Sequence, residues 1–213
     1  MERLLRVEGK GKKSSKPDLI QLNFNLMATH AEYRKALELS TESYGNLETS
    51  FIQAGIEKQE IKTSNLRVET LYESVSDGRI FKNVFKGYAM HTNVFVEIPL
   101  DFALLSTIID NISKKGITPE FTINFGVKEE KEALDFALAE AVSDARAKAE
   151  TLAKAAGVTL GAIKNMSYHV QEGIFSPTRM DFSLMEKRSA INLEMTPRDI
   201  EITQNVEIWW EII

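Results

Sequence analysis

Histidine is the residue type in this chain that most often binds metals or transfers protons in proteins, and three are present. His30, His91 and His169 are far apart in sequence, and none belongs to a spaced ligand set such as His-x-x-x-His. The chain has no cysteine, so thiolate ligands, thiol catalysis and disulfides are excluded as well. The sequence therefore predicts neither a metal site nor a cofactor.

Serine and glycine could serve as a nucleophile and a phosphate-binding loop, but both lack the neighbours that such chemistry needs. Ser64 and Ser176 are not set in a nucleophile-elbow sequence. Gly9 and Gly11 form only a fragment of a phosphate loop, without the helix that should follow, so we interpret them as a turn or bulge. We therefore predict no catalytic residues and no enzymatic activity.

The charge of the chain argues against a nucleic-acid partner. The net charge is −5 over 213 residues, whereas phosphate binding needs clustered Lys and Arg. The one basic cluster is short and lies between two predicted strands, where we expect a solvated loop. Its members are Lys10, Lys12, Lys13 and Lys16.

Membrane insertion is not indicated either. No window approaches the roughly 18 apolar residues of a membrane span. The start of the chain, MERLLRVEGKG, lacks the apolar segment of a signal peptide. As written, the sequence predicts a cytoplasmic protein, with a periplasmic or envelope location as the alternative if a signal peptide has been removed.

The longest regular pattern covers residues 128–157, which we predict to be one helix ended by Gly157. Its apolar residues recur at steps of three and four, so they form one stripe. The stripe comprises Leu134, Leu138, Ala141, Ala145, Ala149, Leu152 and Ala156. Because much of the stripe is alanine, we expect this helix to lie close against a sheet.

Alternating apolar residues and short helical patterns make up the rest of the chain. Strands are predicted at residues 4–8, 19–28, 61–73, 80–98, 117–127, 161–171 and 199–213, and further helices at 31–54 and 102–113. Asp77 and Gly78 predict a hairpin turn. The fold class that follows is α+β: a mixed, mostly antiparallel sheet carrying two long helices and one short helix, in a single domain over residues 1–213.

The last strand and the loop before it stand out as a candidate contact. Trp209 and Trp210 point to opposite faces of the strand, and we expect Trp210 in the core. Trp209 shares a polar face, so the long loop at residues 172–189 or another subunit should cover it. We therefore predict an oligomer contact that involves Phe175, Phe182, Trp209 and Trp210; cover within one monomer is the alternative.

Several landmarks together resemble the SIMPL-domain family over nearly the whole chain. They are Val7-Glu8-Gly9-Lys10-Gly11, Pro17-Asp18, Ile61-Lys62-Thr63-Ser64-Asn65-Leu66, Gly87-Tyr88, and the helix ending in LAKAAG before Leu160-Gly161. The resemblance implies an α+β domain found in bacterial envelope proteins, sometimes linked with stress tolerance, and in an animal adaptor that associates with a kinase. It also implies self-association and supplies no catalytic residues.

Three functions follow as hypotheses. The first is a non-enzymatic assembly or interaction protein that forms a homo-oligomer through sheet edges and the late loop. The second is an enzyme or small-ligand carrier with a pocket between the alanine-rich helix and the sheet, lined by Phe121, Phe125 and Tyr168. The third is an adaptor that binds a protein partner along an exposed strand edge.

The expected close contact of the helix gives the first testable prediction. Ala145→Phe should overpack that contact and lower the free energy of unfolding by roughly 1–3 kcal/mol. Chemical denaturation measures the change. A variant as stable as the parent would show that the helix does not pack closely.

Overall fold

The computed structural model describes residues 3–76, 81–117, 119–169 and 196–213. In these residues the chain forms seven strands and three α-helices. In chain order they are β1 (Leu4–Ser15), β2 (Leu19–His30), α1 (Tyr33–Gln53), β3 (Lys62–Ser76), β4 (Phe81–Pro99), α2 (Phe102–Lys114), β5 (Glu120–Gly126), α3 (Glu130–Ala156), β6 (Leu160–His169) and β7 (Ile200–Ile212). The α+β class is confirmed, but the strands form two sheets where the sequence analysis expected one.

The chain divides into two compact units, each with its own sheet. The first contains residues 3–18, 126–169 and 197–213 of the described chain, and the second contains residues 19–76, 81–117, 119–125 and 196. The single domain over residues 1–213 stays a prediction.

The first unit is a three-stranded sheet in the order β1-β7-β6, covered on one face by α3. β7 pairs antiparallel with both neighbours. Val7, Val206, Ile208 and Trp210 point from this sheet towards buried alanines of α3 and form a small core. The helix lies over β1 and β7 and makes few contacts with β6.

The two glycines near the start of the chain are not a turn or bulge, as predicted, but central residues of β1. A Cβ atom on Gly9 would lie 2.0 Å from the carbonyl oxygen of Ala141, and one on Gly11 would lie 1.9 Å from that of Ala137. Such distances leave no room for a side chain. The glycines therefore let the backbones of β1 and α3 come into direct contact, and the strand continues through them.

The predicted lysine loop is also wrong, because Lys10, Lys12 and Lys13 belong to β1. Lys12 forms an ion pair with Glu201 on the neighbouring strand. The Lys13 Nζ atom lies 4.6 Å from the ring centroid of Phe136 on α3, a cation–π contact. These lysines are therefore held at the surface of the sheet.

The buried stripe of α3 consists of alanine alone, at a strict spacing of four residues. Its members are Ala133, Ala137, Ala141, Ala145, Ala149 and Ala153. Two of the residues predicted for this stripe, Leu152 and Ala156, are instead exposed, and Leu134 and Leu138 flank it as partly buried residues. The contact with β1 selects small residues for the innermost row, so the leucines are displaced to its sides. The helix ends, as predicted, at Gly157 with φ +69°.

The second unit is a four-stranded sheet in the order β3-β4-β2-β5. The inward face of β2 carries Ile20, Leu22, Phe24 and Leu26, as the alternation predicted, and these residues pack with α1 and α2 in the larger core. Asp101 caps α2, accepting hydrogen bonds from the backbone N–H groups of the second and third helical residues at 2.8 and 3.0 Å.

The buried face of α1 begins with two small residues. Ala36 and Ser40 are buried, whereas the larger Tyr33 and Leu37 are exposed. The Ser40 hydroxyl lies 3.4 Å from that of Thr92, so the buried polar groups satisfy each other.

The glycines of β1 give a second prediction with a control in the same chain. Gly9→Ala should lower the free energy of unfolding by about 1–3 kcal/mol, because the added methyl group meets the backbone of α3. Gly45→Ala in α1 should instead raise it by about 0.5–1 kcal/mol, because a Cβ there meets nothing within 4 Å and alanine favours the helix. Urea denaturation measures both. Equal effects of the two variants would contradict the close contact.

Candidate functional site

The two tryptophans of the predicted oligomer contact lie in different surroundings. Trp210 is 3% exposed and packs beneath α3, as expected for a core residue. Trp209 is half-buried on the opposite face of the sheet, and the guanidinium carbon of Arg6 lies 5.6 Å from its ring centroid. Arg6 also pairs with Glu207. Part of the cover for Trp209 therefore comes from β1, and of the two tryptophans only Trp209 presents its side chain at the surface.

The other two residues of that predicted contact, Phe175 and Phe182, lie outside the described residues, as does the whole loop at 172–189. The oligomer contact through them stays a prediction.

The edge strand β6 presents apolar side chains that the helix does not cover. Ile163, Met166 and Tyr168 are each about half-exposed. The single lysine of this strand, Lys164, is held by an ion pair with Glu211 on β7 at 3.1 Å. Lysines and bulges commonly protect an open sheet edge against pairing. Here Lys164 points to its own sheet, and the pairing of β6 with β7 shifts register on both sides of Ile163.

In the second unit, β3 and β4 extend past the end of β2 as a two-stranded arm, defined here as residues 71–76 and 81–87. β2 ends at His30, opposite Tyr88. The arm leaves the sheet at Gly87, where φ is +145° and a Cβ would lie 2.4 Å from the carbonyl oxygen of His30. Glycine is therefore required where β4 passes beneath the end of β2. The predicted Asp77-Gly78 turn lies outside the described residues.

One face of the arm carries a chain of edge-to-face aromatic contacts, which we call the aromatic row: Tyr33, Tyr88, Phe85 and Tyr72. The ring centroids of successive members are 5.4, 5.3 and 5.9 Å apart. All except Tyr88 are exposed. The sequence analysis identified the strands but missed this surface, because alternation alone does not tell whether a face is covered.

The opposite face of the arm and of the adjoining strands carries the charges. Glu69 pairs with Arg67 and lies 3.4 Å from the Nε2 atom of His91. Further out, Glu73 pairs with Lys86. The arm is therefore amphipathic, with its ionic groups on one side and its aromatic row on the other.

The best-defined electrostatic site is Asp144 on α3, which joins the helix to β1. One of its carboxylate oxygens accepts hydrogen bonds from the Lys148 Nζ atom at 2.7 Å and from the backbone N–H of Lys10 at 2.8 Å. These two donors lower the pKa of Asp144, the lysine contributing most. The Lys148 Nζ atom also donates to the carbonyl oxygen of Glu8 at 3.2 Å. The group holds α3 against β1.

His30 and His91 have separate partners. The Nδ1 atom of His30 accepts a hydrogen bond from the backbone N–H of Glu32 at 2.9 Å, and His91 faces Glu69. Within the described residues no group of three His, Asp or Glu side chains is placed to hold a metal ion. Among the described helices, none is both long and apolar enough to cross a membrane.

The residues proposed to line a ligand pocket have other partners. Phe121 stacks on Phe24 at 5.1 Å, and Phe125 meets Phe102 at 6.3 Å, so both pack with the core of the second unit. Tyr168 lies on β6 of the first unit. In that unit, the direct contact of α3 with β1 leaves no space for a pocket between helix and strand.

The order of elements and the glycine–alanine contact lie within a stretch that matches a known family. Residues 5–210 match SIMPL, described as a protein of unknown function, DUF541. The chain belongs to the SIMPL family. The match covers both units.

Among curated proteins, SIMPL relatives of the chain include the 26 kDa periplasmic immunogenic protein of Brucella melitensis, 27% identical over 76% of this chain and 65% of that protein. The uncharacterized protein YggE of Edwardsiella ictaluri is 30% identical over 77% of this chain and 67% of its own length. The chain thus spans about two thirds of the length of these relatives, and the Brucella protein is periplasmic by name.

Asp144 gives a prediction with a definite pH dependence. Because its pKa is lowered in the folded protein, its stabilising effect is present above the ordinary aspartate pKa of about 4 and is lost as the pH falls through the lowered value. Asp144→Ala should cost roughly 0.5–1.5 kcal/mol of unfolding free energy at pH 7, and the difference from the parent should shrink below pH of about 4.

Glu150→Ala is the matched control, because Glu150 forms an exposed ion pair with Arg146 within the same helix. Loss of this ion pair should lower the free energy of unfolding by only about 0.3–0.5 kcal/mol. Urea denaturation of both variants from pH 7 to pH 3 measures the effect. A cost for Asp144→Ala that does not change with pH would contradict the assigned hydrogen bonds.

Proposed function

We propose that this SIMPL protein is a non-enzymatic protein that self-associates, forming an assembly through exposed sheet edges. The observation that carries the proposal is that β6 is an edge strand among the described strands, where Ile163, Met166 and Tyr168 are half-exposed. An open edge strand offers unpaired backbone groups to another chain, and apolar side chains along it add to the gain on pairing. Self-association of this edge would remove the unpaired backbone groups and the apolar side chains from water.

The charged groups support a structural rather than a catalytic role. Among the described residues, the pKa values of Asp144 and Glu201 are both lowered, and the partner of each is a lysine that joins two elements of the first unit. Catalytic acids and bases usually have pKa values shifted towards neutrality. These groups instead remain charged and hold strands and helix together.

The relatives bear on location and role. We propose a periplasmic or envelope location, which rests on the name of the Brucella relatives. A role in stress tolerance, implied by the family resemblance, stays a prediction.

A peptide-binding adaptor is the second candidate function, because the same open edge of β6 could pair with an extended segment of another protein. The two candidates differ in what a purified sample should contain. Self-association gives a mass above that of one chain without any added partner, whereas an adaptor stays monomeric until the peptide is added.

Sedimentation velocity at micromolar concentration tests the proposal. The parent should sediment as an oligomer, and Tyr168→Lys should weaken association at least tenfold, because a charge replaces an apolar side chain at the edge. Leu152→Lys on α3 is the control, since Leu152 is 49% exposed and Tyr168 is 56% exposed. A monomeric parent would refute self-association, and equal effects of the two variants would refute the β6 contact.

A further inference from the structure

The arm of β3 and β4 carries one face without charge, which includes the aromatic row. Within the arm, the side chains of Tyr72, Ser74, Phe81, Asn83 and Phe85 point to this face, by the alternation of paired strands. It continues over Val68, Thr70 and Tyr88 towards Tyr33 at the start of α1. None of these described side chains is ionisable to a charge near neutral pH. We call this surface the uncharged face.

We propose that the uncharged face packs against the same face of a second copy of this chain, so that two arms meet as a symmetric pair. This inference deepens the proposed self-association and rests on it: it names a contact surface in the second unit, separate from the β6 edge. The aromatic rows of the two copies form the centre of the contact.

The distribution of charge selects the partner. The arm and the adjoining strands place Glu73, Lys86, Arg67 and Glu69 on the opposite face, in ion pairs. Phosphate groups of nucleic acids or anionic lipids need Lys and Arg on the docking surface, and the described residues of the uncharged face offer none. With a net charge of −5, two copies repel at long range, so they meet most favourably where neither carries charge.

The exposed area is of the size that such a contact needs. Tyr33, Tyr72, Phe81 and Phe85 are 49%, 60%, 78% and 45% exposed. Since an aromatic side chain can bury about 150–250 Å², these four offer roughly 350–600 Å². A stable dimer buries about 800 Å² per partner, so the aromatic residues supply about half or more, and the exposed Leu66 and Val68 on the same face add to it. In a two-fold pair each copy contributes the same patch.

The architecture of the arm gives an independent reason. A two-stranded ribbon is marginally stable in water unless a hydrophobic face is packed. The second unit packs α1 and α2 against the core side of its sheet, but the uncharged face extends past this cover on the arm. Two arms stacked face to face at the usual sheet spacing of about 10 Å would provide the missing layer.

A matched pair of neighbouring residues tests the contact. Phe85 and Val84 are 45% and 46% exposed and point to opposite faces of the arm. Phe85→Glu should lower the weight-average mass of the full chain, measured by sedimentation velocity at micromolar concentration, at least twofold. Val84→Glu should leave that mass unchanged, since the charge falls on the ionic face. Tyr72→Glu serves as a second variant, and circular dichroism establishes that each variant is folded.

The outcomes separate this inference from the proposed function. A monomeric parent would overturn both. If the parent is an oligomer that Tyr168→Lys dissociates, and Phe85→Glu and Tyr72→Glu leave it intact, only the contact between arms is overturned. Equal losses for Phe85→Glu and Val84→Glu would overturn it as well. Binding to vesicles of neutral phospholipid is a further readout. If the parent binds them and Phe85→Glu does not, while both have the same weight-average mass, the uncharged face contacts a lipid surface and the contact between arms is overturned.

Discussion

The direct contact between β1 and α3 is the constraint on which the first unit depends. Gly9 and Gly11 have no side chains, and the helix opposes them with alanine at every fourth position, so two backbones meet where sheets and helices are ordinarily separated by larger side chains. Little apolar area is available in such a contact, and dispersion between closely packed atoms must contribute much of its stability. Tolerance of substitution is correspondingly low on both sides.

Electrostatic contacts at the rim reinforce this geometry. Asp144 binds the backbone of β1 at Lys10, and Lys148 binds it at Glu8, so the helix is fixed along the strand as well as against it. Lys12 and Glu201 then join β1 to β7. These charged groups therefore hold α3 and the two strands together along the contact between glycine and alanine.

The elements themselves were largely predictable, whereas their use of glycine and their uncovered faces were not. Alternation located β2 and β7, and Gly157 located the end of α3, because these signals are local. Gly9 and Gly11 were misinterpreted, since glycine marks a turn in most contexts and only the distant alanines explain it inside a strand. The leucines of α3 were placed in its buried row for the same reason: hydrophobicity does not indicate how close the opposing backbone lies. Phe175 and Phe182 lie outside the described residues and remain predictions.

The described elements leave part of the sheet uncovered in both units, and this follows from the lengths of these elements. In the first unit, α3 follows β1 and β7 and leaves β6 at the open edge. In the second, β3 and β4 continue beyond His30, where β2 stops and α1 begins, so no third strand of the described chain pairs with their outer ends. A chain with exposed apolar sheet surface in two places must either leave that surface in contact with water or pack it against another surface. The separation of charged and aromatic side chains on the arm favours the second outcome, because a surface selected only for solubility would carry its ionic groups on both faces.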